Sequence, residues 1–526
     1  MKEKLIILGA GVMQGPAIRI AKELGLYTIV LDGSAHAPCI SMADQFEQID
    51  LKNKEEIESF ARSVQGAGSR LGIMTAGTDF SASVAWTAEK LSLPGIPYEA
   101  ALNASDKSRM RACFKKSGLP SPDFYTITKA DNFDTPPLPF PLVIKPVDNM
   151  GGRGCRRVNA IEEFAEAASS AISFSRSGRA IVEAFMDGPE FSVDAIVYHG
   201  EITICGLADR HIFFPPYFIE MGHTMPTIIE NEKQADMLET FRAGVRALGI
   251  AEKDSIGAAK GDIKLTTRGQ GTSVPMIGEI AARLSGGYMS GWTYPYSSGA
   301  QPIRAAILAA MGKEPDSLVP TKNWTCAERA FISIPGTVKT ITGIEQARNT
   351  PHVKDLFLRA EEGGKVFFPE NNVSKCGNII AAAEDRDSAV NSAESAARSI
   401  LIRLDPADGQ TEDFLGSSGD FPPGAFALTD GLKSALLSIP DTKPQKGEGA
   451  QYSIFPFPAF SSSALRDFMG RSIEEALSAV RLLTGFPLPI DEKNADNKLT
   501  LGRSFWSAFI RGSYQGAVYY IDNLLK

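Results

Sequence analysis

"PLVIKPVDNMGGRGCRRV", residues 141–158, is the stretch on which the reading of this chain turns. The apolar run Pro141 to Ile144 reads as a strand that delivers Lys145, and the turn after it carries Gly151, Gly152 and Gly154 beside Arg153. Glycines let backbone N–H groups crowd around an anion, and a neighbouring lysine adds a point charge, so these residues can cradle phosphate. The pattern G-x-x-x-x-G-K-[ST] is absent, and an ordinary β-hairpin with an exposed lysine accounts for the same letters. What decides between the two is the rest of the chain.

Downstream, "AIVEAFMDGPEFSVDAIV" (180–197) sets Glu183 and Glu190 seven residues apart, across a strand, a short connection and a second strand. Phe185 and Met186 between them can line a slot for a flat base, and Glu190 can accept from a pair of ribose hydroxyls; two solvated glutamates on an edge strand are the plainer alternative. "GDIKLTTRGQGTSVPMIGEIAARLSGG" (261–287) supplies Asp262 and Glu279 in successive strand-like runs joined by a Gly-rich turn. As cross-strand neighbours they would repel unless a cation lay between them, and Mg²⁺ bridging nucleotide phosphates suits such oxygen ligands. Arg283 would then reach a transferred phosphoryl group. A salt-bridged hairpin is the competing account.

Working back to the amino terminus, "LGAGVMQGP" (8–16) follows an apolar run and opens a helix-like stretch, and the next run, "YTIVLDG", ends in Asp32. This looks like the start of a dinucleotide-binding βαβ unit, with Asp32 near the position of a ribose-binding acid. The glycines fall at 9, 11 and 15, however, and Gln14 stands where the fingerprint wants glycine. The helix start still favours an anion, a carboxylate or phosphate of a substrate. The runs "FEQIDL", "LGIMTAG" and "SLPGIPY" continue a parallel-sheet series to about residue 100. In "ALNASDKSRMRACFKKSGLPSPDFY", Ser105 can cap a helix that Gly118 and Pro120 stop. A long helix is expected at about 231–248, and an aromatic stripe of Phe505, Phe509 and Tyr519, with Gly512 and Gly516, reads as core or subunit packing.

Composition narrows the classes. The 526 residues suggest several domains, and 43% apolar with 22% charged residues is globular. A net charge of −8 argues against a nucleic-acid or membrane-surface partner. No run approaches a membrane span, and Met1 leads directly into strand-like sequence, so a cytoplasmic protein without a secretory leader is expected. The six cysteines form no C-x-x-C pair and five histidines leave little for a histidine metal cluster.

Taken in order, Lys107, Lys145 with its glycine loop, Glu183 and Glu190, Asp262, and Glu279 with Arg283 resemble the ATP-grasp superfamily over roughly residues 1–400. The resemblance implies an α/β and α+β multidomain chain: a Rossmann-like pre-ATP-grasp domain at 1–104 and an ATP-grasp domain at 105–315, with its nucleotide clamp at about 120–205. An α+β ligase domain at 316–405 and an extension of unassigned role at 406–526 would follow. It implies ATP with Mg²⁺ or Mn²⁺, held by Lys107, Lys145, the loop Gly151, Gly152, Arg153 and Gly154, the hinge Glu183, Ala184, Phe185 and Met186, and Glu190, with Asp262 and Glu279 on the metal.

The family's usual E-[IV]-N-x-R reads Glu279-Ile280-Ala281-Ala282-Arg283 here, so an asparagine metal ligand is replaced by Ala281. That variant, followed by a glycine turn, is similar to the L-amino acid ligase branch and its carbamoyl-phosphate-synthase-like relatives, as is "ERAFISIPGTVKTITGIEQARNTPHV". The resemblance therefore implies a carboxylate–amine ligase working through an acyl phosphate, with small carboxylate and amine substrates and a homodimer as the default assembly. Lys145, Arg283 and His223, in "EMGHTMP", are the candidate catalytic groups; Arg210, His211, Thr78 and Asp79 are further candidates at the cleft. A sugar-phosphate amine or bicarbonate acceptor, a nicotinamide-dependent oxidoreductase and a nucleotide-binding protein without turnover are the alternatives.

Overall fold

Lys4–Leu8 (β1) is buried at four of its five positions, as a strand covered on both faces must be. It lies between Tyr27–Asp32 (β2) and Leu71–Met74 (β4), parallel to both, and Gln45–Gln48 (β3) extends the sheet beyond β2, giving the order β3-β2-β1-β4. Helices Gly15–Glu23 (α1), Lys54–Val64 (α2) and Ser81–Leu91 (α3) alternate with these strands. The run "SLPGIPY" is not a fifth strand. Prolines 94 and 97 deny it ladder donors, and it leads irregularly into helix Tyr98–Ser105 (α4).

The computed structural model describes residues 3–66, 70–129, 136–267, 271, 273–442, 444, 451–461, 464–491 and 499–526. Two compact units emerge, Met1–Glu328 with Ala382–Val390, and Arg329–Ala381 with Asn391–Lys526. In the first, helix Lys107–Lys116 (α5) follows α4 directly. Its cap is Asp106, whose carboxylate accepts from the N–H groups of Ser108 and Arg109, and not Ser105, which ends α4 and donates its hydroxyl to Ala101. Aspartate wins because its two acceptor oxygens reach both orphan donors of the first turn.

Strands Phe124–Thr128 (β5), Leu142–Pro146 (β6), Arg156–Val158 (β7) and Arg179–Ala184 (β8), with helix Ile161–Phe174 (α6), build a small antiparallel layer ordered β5-β8-β6-β7. Strands Glu190–Tyr198 (β9), Glu201–Phe213 (β10), Ile219–Met225 (β11), Ile256–Thr266 (β12) and Val274–Ala281 (β13) form a larger one, in the order β13-β12-β9-β10-β11. Helix Asn231–Ala247 (α7) packs Met237, Phe241 and Val245 into the core beneath this sheet, beside Ile263, Ile277 and Ile280. Pro302–Ala310 (α8) packs its apolar side with α1 in the core of the first domain.

The second unit joins strands Gly336–Thr342 and Leu401–Leu404, antiparallel, with helix Arg386–Ser399 entering it at Asn391. Its second core gathers Tyr452, Leu477, Val480, Phe505, Trp506 and Phe509. The aromatic stripe of the last helix, Arg503–Leu525, is therefore internal packing, as its spacing suggested. No helix among the described residues is long and apolar enough to cross a membrane.

Candidate active site

β6 and β7 pair across the glycine loop, and Gly151, Gly152 and Gly154 all take left-handed backbone angles (φ +72°, +76° and +66°) that a side chain would oppose. Lys145, on β6, reaches Glu183 of the neighbouring β8 at 2.7 Å. Glu183 also accepts from Arg111 Nε at 2.7 Å, and the same guanidinium donates to the carbonyls of Ile277 and Gly278 on β13 at 3.0 and 2.7 Å. Arg111 and Glu183 are about as buried as side chains can be, 1% and 2% exposed. Burial would push the Glu183 carboxyl up; Arg111 and Lys145 overcome it and hold the pKa at about 2. Glu183 is thus neither solvated nor free: it anchors Lys145 and ties the small layer to β13.

Across β12 and β13, Asp262 stands directly opposite Glu279, the arrangement expected from their spacing. Glu279 Oε1 lies 3.3 Å from Lys107 Nζ, and that ammonium also donates to the Asn149 carbonyl at 2.7 Å, linking α5 to the segment leading into the glycine loop. Asp262 accepts from Ser192 Oγ at 2.8 Å and from Lys260, and is ion-paired with Arg210 at 3.0 Å. Burial opposes ionisation of both acids, but Arg210 and Lys260 at Asp262, and Lys107 and Lys260 at Glu279, keep their pKa values below the usual carboxylate range.

Arg210, on β10, is a hub. It pairs with Glu190, its cross-strand partner on β9, with Glu220 at 2.6 Å, and with Asp262. Glu190 is further approached by Lys264 at 3.4 Å. His223 is 2% exposed, with Nδ1 3.1 Å from Glu328 and Nε2 3.5 Å from Glu220. Burial would strip its proton; the two carboxylates reverse that and raise its pKa to about 9, so it is an imidazolium at neutral pH. His211 Nε2 meets Thr224 Oγ1 at 2.9 Å.

Arg283 is 8% exposed and donates to the Leu284 carbonyl at 3.0 Å. Gly77 N–H returns a bond to that carbonyl, which brings the end of the first sheet, Thr78 and Asp79, against the site. Burial raises the pKa of Asp79 although Arg283 and Lys107 pull it down. Phe185, between β8 and β9, lies under the Arg157 guanidinium at 4.3 Å.

The dinucleotide-like loop is closed by its own side chains. Gly11 N–H donates to Gln14 Oε1 at 2.9 Å, Gln14 Nε2 donates to the Ala76 carbonyl, and Ala10 N–H donates to Asp32 at 2.8 Å. These bonds occupy the Ala10 and Gly11 donors, and Asp32 is a loop clamp.

The comparisons with known proteins agree with this geometry. Residues 138–256 match the ATP-grasp domain family. Residues 330–405 match the L-amino acid ligase C-terminal domain 2. It is 23% identical over 416 residues to the uncharacterised protein y4rH of Sinorhizobium fredii, covering 77% of this chain and 84% of that one. It is 24% identical to carnosine synthase 1 of Gallus gallus over 340 residues, 60% of this chain but 36% of the relative. Its fold matches an L-amino acid ligase from Bacillus licheniformis with a TM-score of 0.65 and 21% identity, over 77% of this chain and 99% of the other. An ATP-grasp domain implies ATP and Mg²⁺. The acids present fit that metal: two carboxylates opposed on neighbouring strands, both kept ionised, offer hard oxygen donors and nothing softer.

Arg111, Lys260, Glu220 and Glu328 were not apparent from the sequence. Alternation along β12, which puts Lys260, Asp262 and Lys264 at every second position, is the signal that could have found one of them.

Proposed function

We propose that this chain joins the carboxylate of one amino acid to the amine of a second, through an acyl phosphate. A carboxylate oxygen attacks the γ-phosphorus of ATP and the bond to the ADP oxygen breaks. The amine then attacks the acyl carbon, phosphate departs, and the nitrogen loses its proton. Such chemistry asks for positioning and charge neutralisation more than for a protein nucleophile. When bound, Mg²⁺ supplies charge neutralisation on the phosphates, with Asp262 and Glu279 as the residues that would hold it.

This chain's own groups do the rest. Lys107 and Lys145 bring ammonium groups to the glycine loop, and Glu183 aims Lys145. Arg283, held by the Leu284 carbonyl beside Asp79, is the cation for the transferred phosphoryl group. Glu190 offers carboxylate oxygens to ribose hydroxyls, and Arg210 orients it. The imidazolium of His223 fixes Glu220 and through it Arg210.

The observation that carries the reading is the Lys107–Glu279 pair: one contact joins the helix before the clamp to the strand bearing one of the two metal acids. The L-amino acid ligase domain match at 330–405 supports amino acids as the substrates. The test is phosphate release from Mg-ATP with paired pools of amino acids. Release that requires both an acid and an amine is expected. Release that needs bicarbonate or a sugar-phosphate amine, or no release from any pool, overturns the amino-acid assignment.

A further inference from the structure

Lys260 and Ala281 are cross-strand partners, two residues along the β12–β13 ladder from the Asp262–Glu279 pair. Alternate residues of a strand share a face, and directly opposed residues of an antiparallel pair do too, so these four residues form one patch. Ala281 ends at its Cβ and offers that patch no oxygen donor. The ammonium of Lys260 turns along the patch onto Asp262 Oδ2, with its side chain only 14% exposed.

Asp262 already accepts hydrogen bonds from Ser192 and Lys260 and is ion-paired with Arg210, which leaves it few free acceptor positions. Glu279 also feels Lys260, in addition to Lys107. Among the described residues no group of three or more His, Cys, Asp or Glu side chains is placed to share a metal. A pair of divalent ions would therefore have two protein carboxylates between them, and one ion would sit against a fixed ammonium.

We propose that Lys260 is a built-in cation that takes the place of a second metal ion, so that the site holds one divalent cation per bound nucleotide. This rests on the ATP-dependent ligase reading of the same patch. A tethered ammonium costs no binding from solution, and it neutralises Asp262 before the nucleotide arrives. It accepts no phosphate-oxygen coordination but donates hydrogen bonds, so it steers phosphate by charge and direction.

The test counts Mn²⁺ bound to the full-length protein saturated with a non-hydrolysable ATP analogue, by electron paramagnetic resonance of the free ion. One Mn²⁺ per protein is expected for the wild type, for Lys260→Arg and for Ala281→Asn alone. Two are expected for Lys260→Ala combined with Ala281→Asn, which removes the ammonium and restores an oxygen donor. Two in the wild type, or one in a double variant that still binds the analogue, overturns the role of Lys260 and leaves the ligase reading standing. No nucleotide-dependent Mn²⁺ at all overturns both. Should the double variant not fold, the wild-type and Lys260→Arg counts still decide the matter.

Discussion

His223 and Glu328 meet at 3.1 Å in a site where both side chains are almost entirely buried, 2% and 1% exposed. With Glu220 on the other ring nitrogen, the pair makes His223 a permanent cation near neutrality. Its folded-state pKa, about 9, lies above the unfolded value near 6.5. The stability it contributes is therefore complete below about pH 6.5 and is lost as pH rises through about 9, a change of about 3 kcal/mol by linkage. Denaturant titrations at several pH values should show that decline, and His223→Gln should flatten it. An unchanged slope in the variant would assign the decline elsewhere.

Glu183 compensates two cations at once, so replacing it is costly. Glu183→Gln leaves Arg111 buried against a neutral amide, and a loss of about 3–5 kcal/mol is expected. Because its carboxyl is held near 2, the wild-type contribution persists above the ordinary glutamate range and disappears only as pH falls towards 2. Urea midpoints for the wild type and variant at neutral pH check the magnitude. Nucleotide affinity should fall together with stability, since Lys145 loses its anchor.

Glu279→Ala and Arg283→Ala should each lower acid- and amine-dependent phosphate release by about 10²-fold or more. Thermal unfolding should confirm that both variants remain folded. Turnover close to that of the wild type in either one would remove that residue from the reaction.

Gln14 occupies the loop a dinucleotide would need, so tryptophan-to-NADH energy transfer should be absent from the wild type. Gln14→Ala removes bonds to Gly11 and Ala76 and should cost about 1–2 kcal/mol. Phosphate release should be unaffected, as the loop has no part in it. Micromolar NADH binding by the wild type would contradict the assignment.

Local grammar made much of this legible. The strand before Lys145, the glycines of its loop, and the opposition of Asp262 and Glu279 follow from alternation and turn chemistry, and the structure repeats them. What the sequence concealed are partners separated by long stretches of chain: Arg111 finds Glu183 at 72 residues' distance and Ile277 at 166. No periodicity encodes such a meeting; it depends on how α5 lies against two sheets. Gln14 was visible as a misfit in a fingerprint, but only its hydrogen bonds show that it fills the place it spoils.

Arg210 gives the molecule a form of internal bookkeeping. A ligand that engages Glu190 takes electron density away from the guanidinium, and Asp262 and Glu220 then share more of that cation between them. If Glu190 holds the ribose and Asp262 the metal as proposed, the two sites are thermodynamically linked through Arg210: the affinity at one depends on occupancy at the other, by the same factor in either direction.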